Sequence, residues 1–99
     1  MIRLVLRPGA RRDLTNIWHY TADQWGVGQA NSYVRNLERE LARALDFPAI
    51  GSPVEGLPAA YRKLACGKHR IIYRYNDAEL IVVRIIHERQ DVPSEFDDI

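Results

Sequence analysis

Three histidines and an arginine-rich stretch are what this 99-residue sequence offers for chemistry. Acid–base cleavage of RNA needs a base near the 2′-hydroxyl, an acid at the leaving oxygen and cations at the phosphate. His87, Arg70 and Arg89 have the right types for those roles. Two features weigh against the assignment: Glu88 beside His87 weakens the local attraction for phosphate, and one histidine is only half of an acid–base pair. A histidine that merely ends a strand is the competing reading. His19, on a helix, and His69, at a hairpin start, have no evident partners and read as surface residues. The sequence holds no Gly-rich phosphate loop, no HExxH and no clustered carboxylates, so neither a metal nor a cofactor is expected. Cys66 is the single cysteine, which excludes an internal disulfide and any cysteine-based zinc site.

Binding chemistry has more support. From Leu57 to Asn76 the chain carries Arg62, Lys63, Lys68, Arg70 and Arg74 and no acidic residue. From Glu88 onward the balance reverses, with Glu88, Asp91, Glu95, Asp97 and Asp98 against Arg89 alone, and residues 92–99 read as a poorly ordered acidic tail.

The elements that must position these groups follow from periodicity. Ile2 to Arg7 alternates between apolar and basic residues as a half-buried strand, which Pro8 ends. Leu14, Ile17, Trp18, Thr21 and Trp25 keep the spacing of one helical face, predicting a helix over about residues 9–25. Gly26 and Gly28 break it. Ala30, Tyr33, Val34, Leu37, Leu41, Ala44 and Leu45 then define a second helix that Pro48 stops. The stretch from Pro48 to Pro58 has too many breakers for regular structure and reads as a loop. Tyr61–Cys66, Lys68–Tyr75 and Leu80–His87 are β-branched and aromatic runs separated by Gly67 and by Asn76-Asp77, predicting an antiparallel meander. The fold class is α+β, in the order β-α-α-β-β-β, with a helical hairpin packed on a small, mainly antiparallel sheet. Residues 1–99 form one domain.

Alternation puts Lys68, Arg70, Ile72 and Arg74 on one side of the sheet and Ile71, Tyr73 and Tyr75 on the core side. A hairpin loop of two or four residues at Asn76-Asp77 sets Ile81, Val83, Ile85 and His87 beside the first group; a three-residue loop reverses the faces. One face then joins an aliphatic stripe to Lys68, Arg70, Arg74 and His87, a surface suited to an acidic segment of another protein. Arginine stems lying over the aliphatics, with nothing bound, is the alternative. Arg84 falls on the helix side, where an isolated charge is costly, and Asp13 on the first helix is its expected structural partner.

Composition bounds what remains. A net charge of +1 gives no global field for nucleic acid, so sequence-specific DNA binding by this chain alone is not expected. No apolar run is long enough to span a bilayer, and the charged start is unlike a signal peptide, so no membrane association and a cytoplasmic location are expected.

The chain resembles the RelE/ParE superfamily of bacterial type II toxins, the ParE branch most closely. The strings that carry the likeness are Arg12-Asp13-Leu14, Ile17-Trp18-His19-Tyr20, Trp25-Gly26, Gln29-Ala30 with Tyr33 and Leu37, and Pro48 with Ile50-Gly51. Tyr61-Arg62-Lys63, Gly67 to Arg74 and Val83 to Asp91 complete the set, and together they span nearly the whole chain. The resemblance implies a helical hairpin on a small sheet and a cognate antitoxin, ParD-like or of another type, that wraps and neutralises the toxin as a hetero-oligomer. ParE-branch members inhibit DNA gyrase; RelE-branch members cut messenger RNA on the ribosome with basic residues and a C-terminal tyrosine. Arg70 matches the arginine of the RelE-branch Gly-x-x-Arg string, and His87 with Arg89 falls near its C-terminal basic cluster. The tyrosine does not carry over, since Asp91-Val92 is followed by Pro93, Ser94 and Glu95. That loss, with only Lys63 and Lys68 as lysines and an acidic tail, favours ParE-like inhibition of gyrase and growth by protein binding. A RelE-like endoribonuclease and a degenerate toxin that retains only antitoxin binding are the alternatives. Arg7 stands where a Ser cap is common, so the first helix is expected to begin less firmly.

Overall fold

A computed structural model describes residues 2–93. The chain runs β1 (Arg3–Leu6), α1 (Pro8–Trp25), α2 (Val27–Asp46), a short 3-10 turn (Pro48–Ile50), β2 (Ser52–Pro53), β3 (Arg62–Cys66), β4 (His69–Tyr75) and β5 (Glu79–His87). The α+β class, with a helical pair on a sheet, is therefore present. The breaker-rich stretch after α2 is less irregular than its composition suggests, since it holds both the 3-10 turn and the two-residue strand. The expected acidic tail lies outside the described residues from Ser94 onward, while Val92 and Pro93 are described and half-buried.

Pro8 opens α1, where its missing N–H is no loss, and Arg7 provides no side-chain cap. Gly26 joins the helices at φ +97°, a conformation that strains any side chain, which lets α2 follow α1 after a single linking residue. The indole N–H of Trp18 donates to Asn31 Oδ1 at 2.8 Å and ties the two helices. Trp25 is not part of the packed face its spacing suggested. It is 65% exposed at the last residue of α1 and lies edge-on to Tyr20 at 6.2 Å.

The five strands lie in the order β1-β5-β4-β3-β2, with β1 parallel to β5 and the remaining pairs antiparallel. Two apolar clusters result, one on each face. On the helical side, Ile17, Leu37, Leu41 and Ala44 pack on Ile71, Tyr73, Leu80, Val82 and Ile85. On the other side, Val54, Ile72, Ile81, Val83 and Ile86 form a second cluster, covered by Leu57, Tyr61 and Val92. The wall expected to be open for docking is thus closed in large part by the chain's own loop: Ile72 is fully buried and Val83 is 3% exposed.

The β4–β5 register explains the faces. Near the turn, Tyr75 pairs with Leu80, Arg74 with Ile81 and Tyr73 with Val82, as a four-residue loop demands. A bulge at Val83 then slips the pairing by one, so that Ile72 faces Arg84, Ile71 faces Ile85, Arg70 faces Ile86 and His69 faces His87. Ile85 and His87 therefore do not share the face of Lys68, Arg70, Ile72 and Arg74. Ile85 enters the helical-side core, Ile86 takes its place opposite, and His87 turns toward the helices.

Candidate functional site

The C-terminal end of the β4–β5 hairpin gathers the polar groups, and its two faces differ. On the helical face, a cleft of about 410 Å³ opens between α1 and the strands, lined among others by Asp13, Asn16, His69, Arg84, His87 and Gln90. Asp13 is the anchor. It accepts Arg84 Nε at 2.7 Å, Arg84 Nη2 at 3.1 Å and the backbone N–H of Ile85 at 2.8 Å. The bond to Asp13 raises the Arg84 pKa above its already high value, against the opposing effect of burial. Arg84 and the adjacent Ile85 both address the helix layer, an arrangement that strict alternation forbids and the bulge permits.

His69 is not the unpartnered surface residue its position suggested. Its Nδ1 lies 2.6 Å from the Tyr33 hydroxyl of α2, and its ring meets that of His87 edge-on at 5.4 Å. The Tyr33 oxygen also accepts the Lys68 N–H at 2.9 Å. Gly67 makes room for this contact: it turns at φ +57°, and a Cβ there would sit 2.7 Å from the Tyr33 oxygen. Burial, with the neighbouring His87 next, pushes His69 below its ordinary pKa of 6.5.

On the opposite face stand the basic groups. Arg70 extends from that side by alternation, and its Nη2 donates to the Gln90 carbonyl at 2.6 Å while its Nε is buried without a partner among the described residues. Lys68, in the turn between β3 and β4, is exposed, and Arg74 is half-buried opposite Ile81 of the second cluster. Arg89, in the turn two residues past β5, is exposed and donates its backbone N–H to His87 Nδ1 at 3.1 Å. Arg70 and His87 thus leave the hairpin on opposite faces, and the trio Arg70, His87 and Arg89 does not converge on one point. Among the described residues, no group of three or more His, Cys, Asp or Glu is placed to hold a metal ion. No described helix is long and apolar enough to cross a membrane.

A family profile described as the ParE toxin of the type II toxin-antitoxin system, parDE, matches residues 4–92. The chain belongs to the ParE toxin family. Toxin ParE1 of Mycobacterium tuberculosis is 41% identical over 91 residues, covering 91% of this chain and 93% of the relative. Toxin ParE1 of Caulobacter vibrioides is 37% identical over 80% of this chain and 81% of its own length. Toxin ParE of Escherichia coli is 30% identical over 99% and 96%. Among solved structures, the chromosomal ParDE system of P. aeruginosa matches with a TM-score of 0.78 at 20% identity, covering 88% of this chain and 96% of that one. The RelBE2 toxin-antitoxin complex of Mycobacterium tuberculosis gives 0.56 at 21% identity, covering 87% and 96%. Those two likenesses concern the fold.

For this ParE-family toxin, sequence reasoning placed Asp13 and Arg84 on facing elements and missed the Tyr33–His69–His87 chain. Nothing in the histidine spacing signals it, because the pairing of His69 with His87 exists only after the bulge shifts the register.

Proposed function

We propose that this toxin of a type II toxin-antitoxin system acts by binding a protein target, DNA gyrase, and is neutralised by a cognate antitoxin. The observation that carries the reading is the opposition of Arg70 and His87 across the sheet. Acid–base cleavage of RNA requires a cation and a proton carrier around one phosphate; here Arg70 is committed to the Gln90 carbonyl on the other face, and Arg84, the cation beside His87, is neutralised by Asp13. The family's ParE relatives support the same direction. In this reading, the antitoxin lays an acidic segment along Lys68, Arg70 and Arg74, with Ile72, Ile81 and Val83 as the rigid floor beneath. Ile85 and His87, on the helical face, take no part in that contact.

Purified toxin should block supercoiling of relaxed plasmid by gyrase at stoichiometric concentrations, and added antitoxin should restore it. Undiminished supercoiling, together with cleavage of ribosome-bound message, would transfer the protein to the endoribonuclease branch.

A further inference from the structure

The cleft between α1 and the β4–β5 end gathers ring and guanidinium donors from His69, His87 and Arg84. His87 Nδ1 accepts the Arg89 N–H, so the proton of its neutral ring sits on Nε2. The Tyr33 oxygen accepts from Lys68, and its hydrogen has two acceptors in reach, the Cys66 carbonyl at 3.5 Å and His69 Nδ1 at 2.6 Å; the shorter contact takes it, which places the His69 ring proton on Nε2 as well. Arg84 spends Nε and Nη2 on Asp13 and has Nη1 over. Asp13, the carboxylate lining the cleft, already takes three bonds from Arg84 and the Ile85 N–H.

We infer that this cleft is a binding site for a carboxylate, held by the Nε2–H groups of His69 and His87 with Arg84 alongside. The same tautomers turn away a metal ion, which needs the Nε2 lone pair rather than its proton. Charge selects among anions. With Arg84 paired to Asp13 and His69 kept uncharged by burial, the site offers hydrogen-bond donors rather than net charge, so a singly charged carboxylate costs less to desolvate there than a phosphate dianion. The groups facing His69 are Tyr33 from α2, Asp13 from α1, and His87 and Glu88 from the β5 end. The carboxylate can be a free small acid or an acidic side chain of a polypeptide. The site lies on the helical face, opposite the surface assigned to the antitoxin, and stands or falls independently of the toxin reading.

Long-range ¹H–¹⁵N spectra of the full chain at neutral pH test the assignment. Both rings should appear as Nε2–H tautomers, and sodium acetate should shift both in a saturable way beyond sodium chloride at equal ionic strength. An acidic tripeptide, N-acetylated and amidated, is the second arm: at least tenfold tighter binding than acetate identifies a polypeptide source, and equal affinity a small acid. His69→Phe and His87→Phe should each weaken binding about tenfold or more, whereas His87→Gln, which retains a donor near Nε2, should stay within about threefold. An Nδ1–H tautomer on either ring, a response no larger than that to chloride, or saturation by phosphate ahead of acetate would overturn the proposal. The tautomer and chloride comparisons need only the parent chain, so they decide even where a phenylalanine variant fails to fold.

Discussion

Asp13 of α1 clamps Arg84 of β5 across 71 positions of chain, and the same carboxylate oxygen that takes the guanidinium at 2.7 Å takes the next backbone N–H at 2.8 Å. One side chain thus fixes both the helix and the distorted strand. Both partners are largely shielded, with Asp13 13% and Arg84 30% exposed at the side chain, so leaving either charge alone is costly. Asp13→Ala abandons the guanidinium and the Ile85 N–H together and should cost about 2–3 kcal/mol in urea unfolding. Arg84→Met strands the more shielded Asp13 carboxylate instead and should also cost about 2–3 kcal/mol. A loss below about 0.5 kcal/mol in both variants would show that the clamp does not hold the helix to the strand.

That clamp also shows where the sequence was legible. The α1 and α2 spans, the β3–β4–β5 meander and the pairing of Asp13 with Arg84 follow from periodicity and from the cost of a charge on the core side. The Val83 bulge does not, because Leu80 to Ile86 is apolar apart from Arg84 and a run apolar on both faces carries no alternation to betray a slip. The closure of the second face by Val54, Leu57, Tyr61 and Val92 was hidden for a related reason: loop residues with no period give no sign of which surface they cover.

Leu41 is 4% exposed between α2 and the sheet, in the cluster that includes Leu37, Ile71 and Tyr73. Leu41→Asp replaces that apolar contact with a carboxylate that has no partner there, a penalty comparable to the whole stability of a small domain. The variant should lose its cooperative melt. A transition near the parent's would remove the inward assignment of this α2 face.

Tyr73 carries a buried hydroxyl with two tasks. It donates to the Pro48 carbonyl at 2.6 Å and accepts the Gly51 N–H at 2.9 Å, pinning the turn that leads out of α2. Tyr73→Phe leaves both groups without that partner and should cost about 1–3 kcal/mol. Hydrogen exchange at Gly51 should accelerate while amides in α1 keep their relative protection. Unchanged exchange at Gly51 would argue that the turn is held by the backbone alone.

His69 sets a pH dependence of definite sign. Its folded pKa lies below the unfolded value of 6.5, so below neutrality the unfolded chain binds the extra proton and gains on the folded one. The contribution of His69 is complete above pH 6.5 and is lost as pH falls through that value toward the lower folded pKa. The parent should therefore lose more stability between pH 7.5 and 5.5 than His69→Gln, whose amide can still accept from Tyr33 and does not titrate. Identical slopes for the two chains would remove His69 from the account.

Arg70 has two possible employers, and its substitution separates them. Within the chain it holds the Gln90 carbonyl, yet Gln90 is itself exposed, so its oxygen can turn to water when the guanidinium is gone. Arg70→Ala should leave the melting temperature nearly unchanged. Against the antitoxin the same change removes a charge-assisted contact, worth about 1.5–3 kcal/mol where buried, or roughly 10- to 150-fold in Kd. Arg74→Glu adds repulsion at the neighbouring position on that face and should weaken binding by a similar or larger factor, whereas His87→Gln on the helical face should leave it alone. Calorimetric titration of each variant with antitoxin makes the comparison. If His87→Gln weakens binding and the two arginine changes do not, the antitoxin lies on the helical face and the basic edge has another purpose.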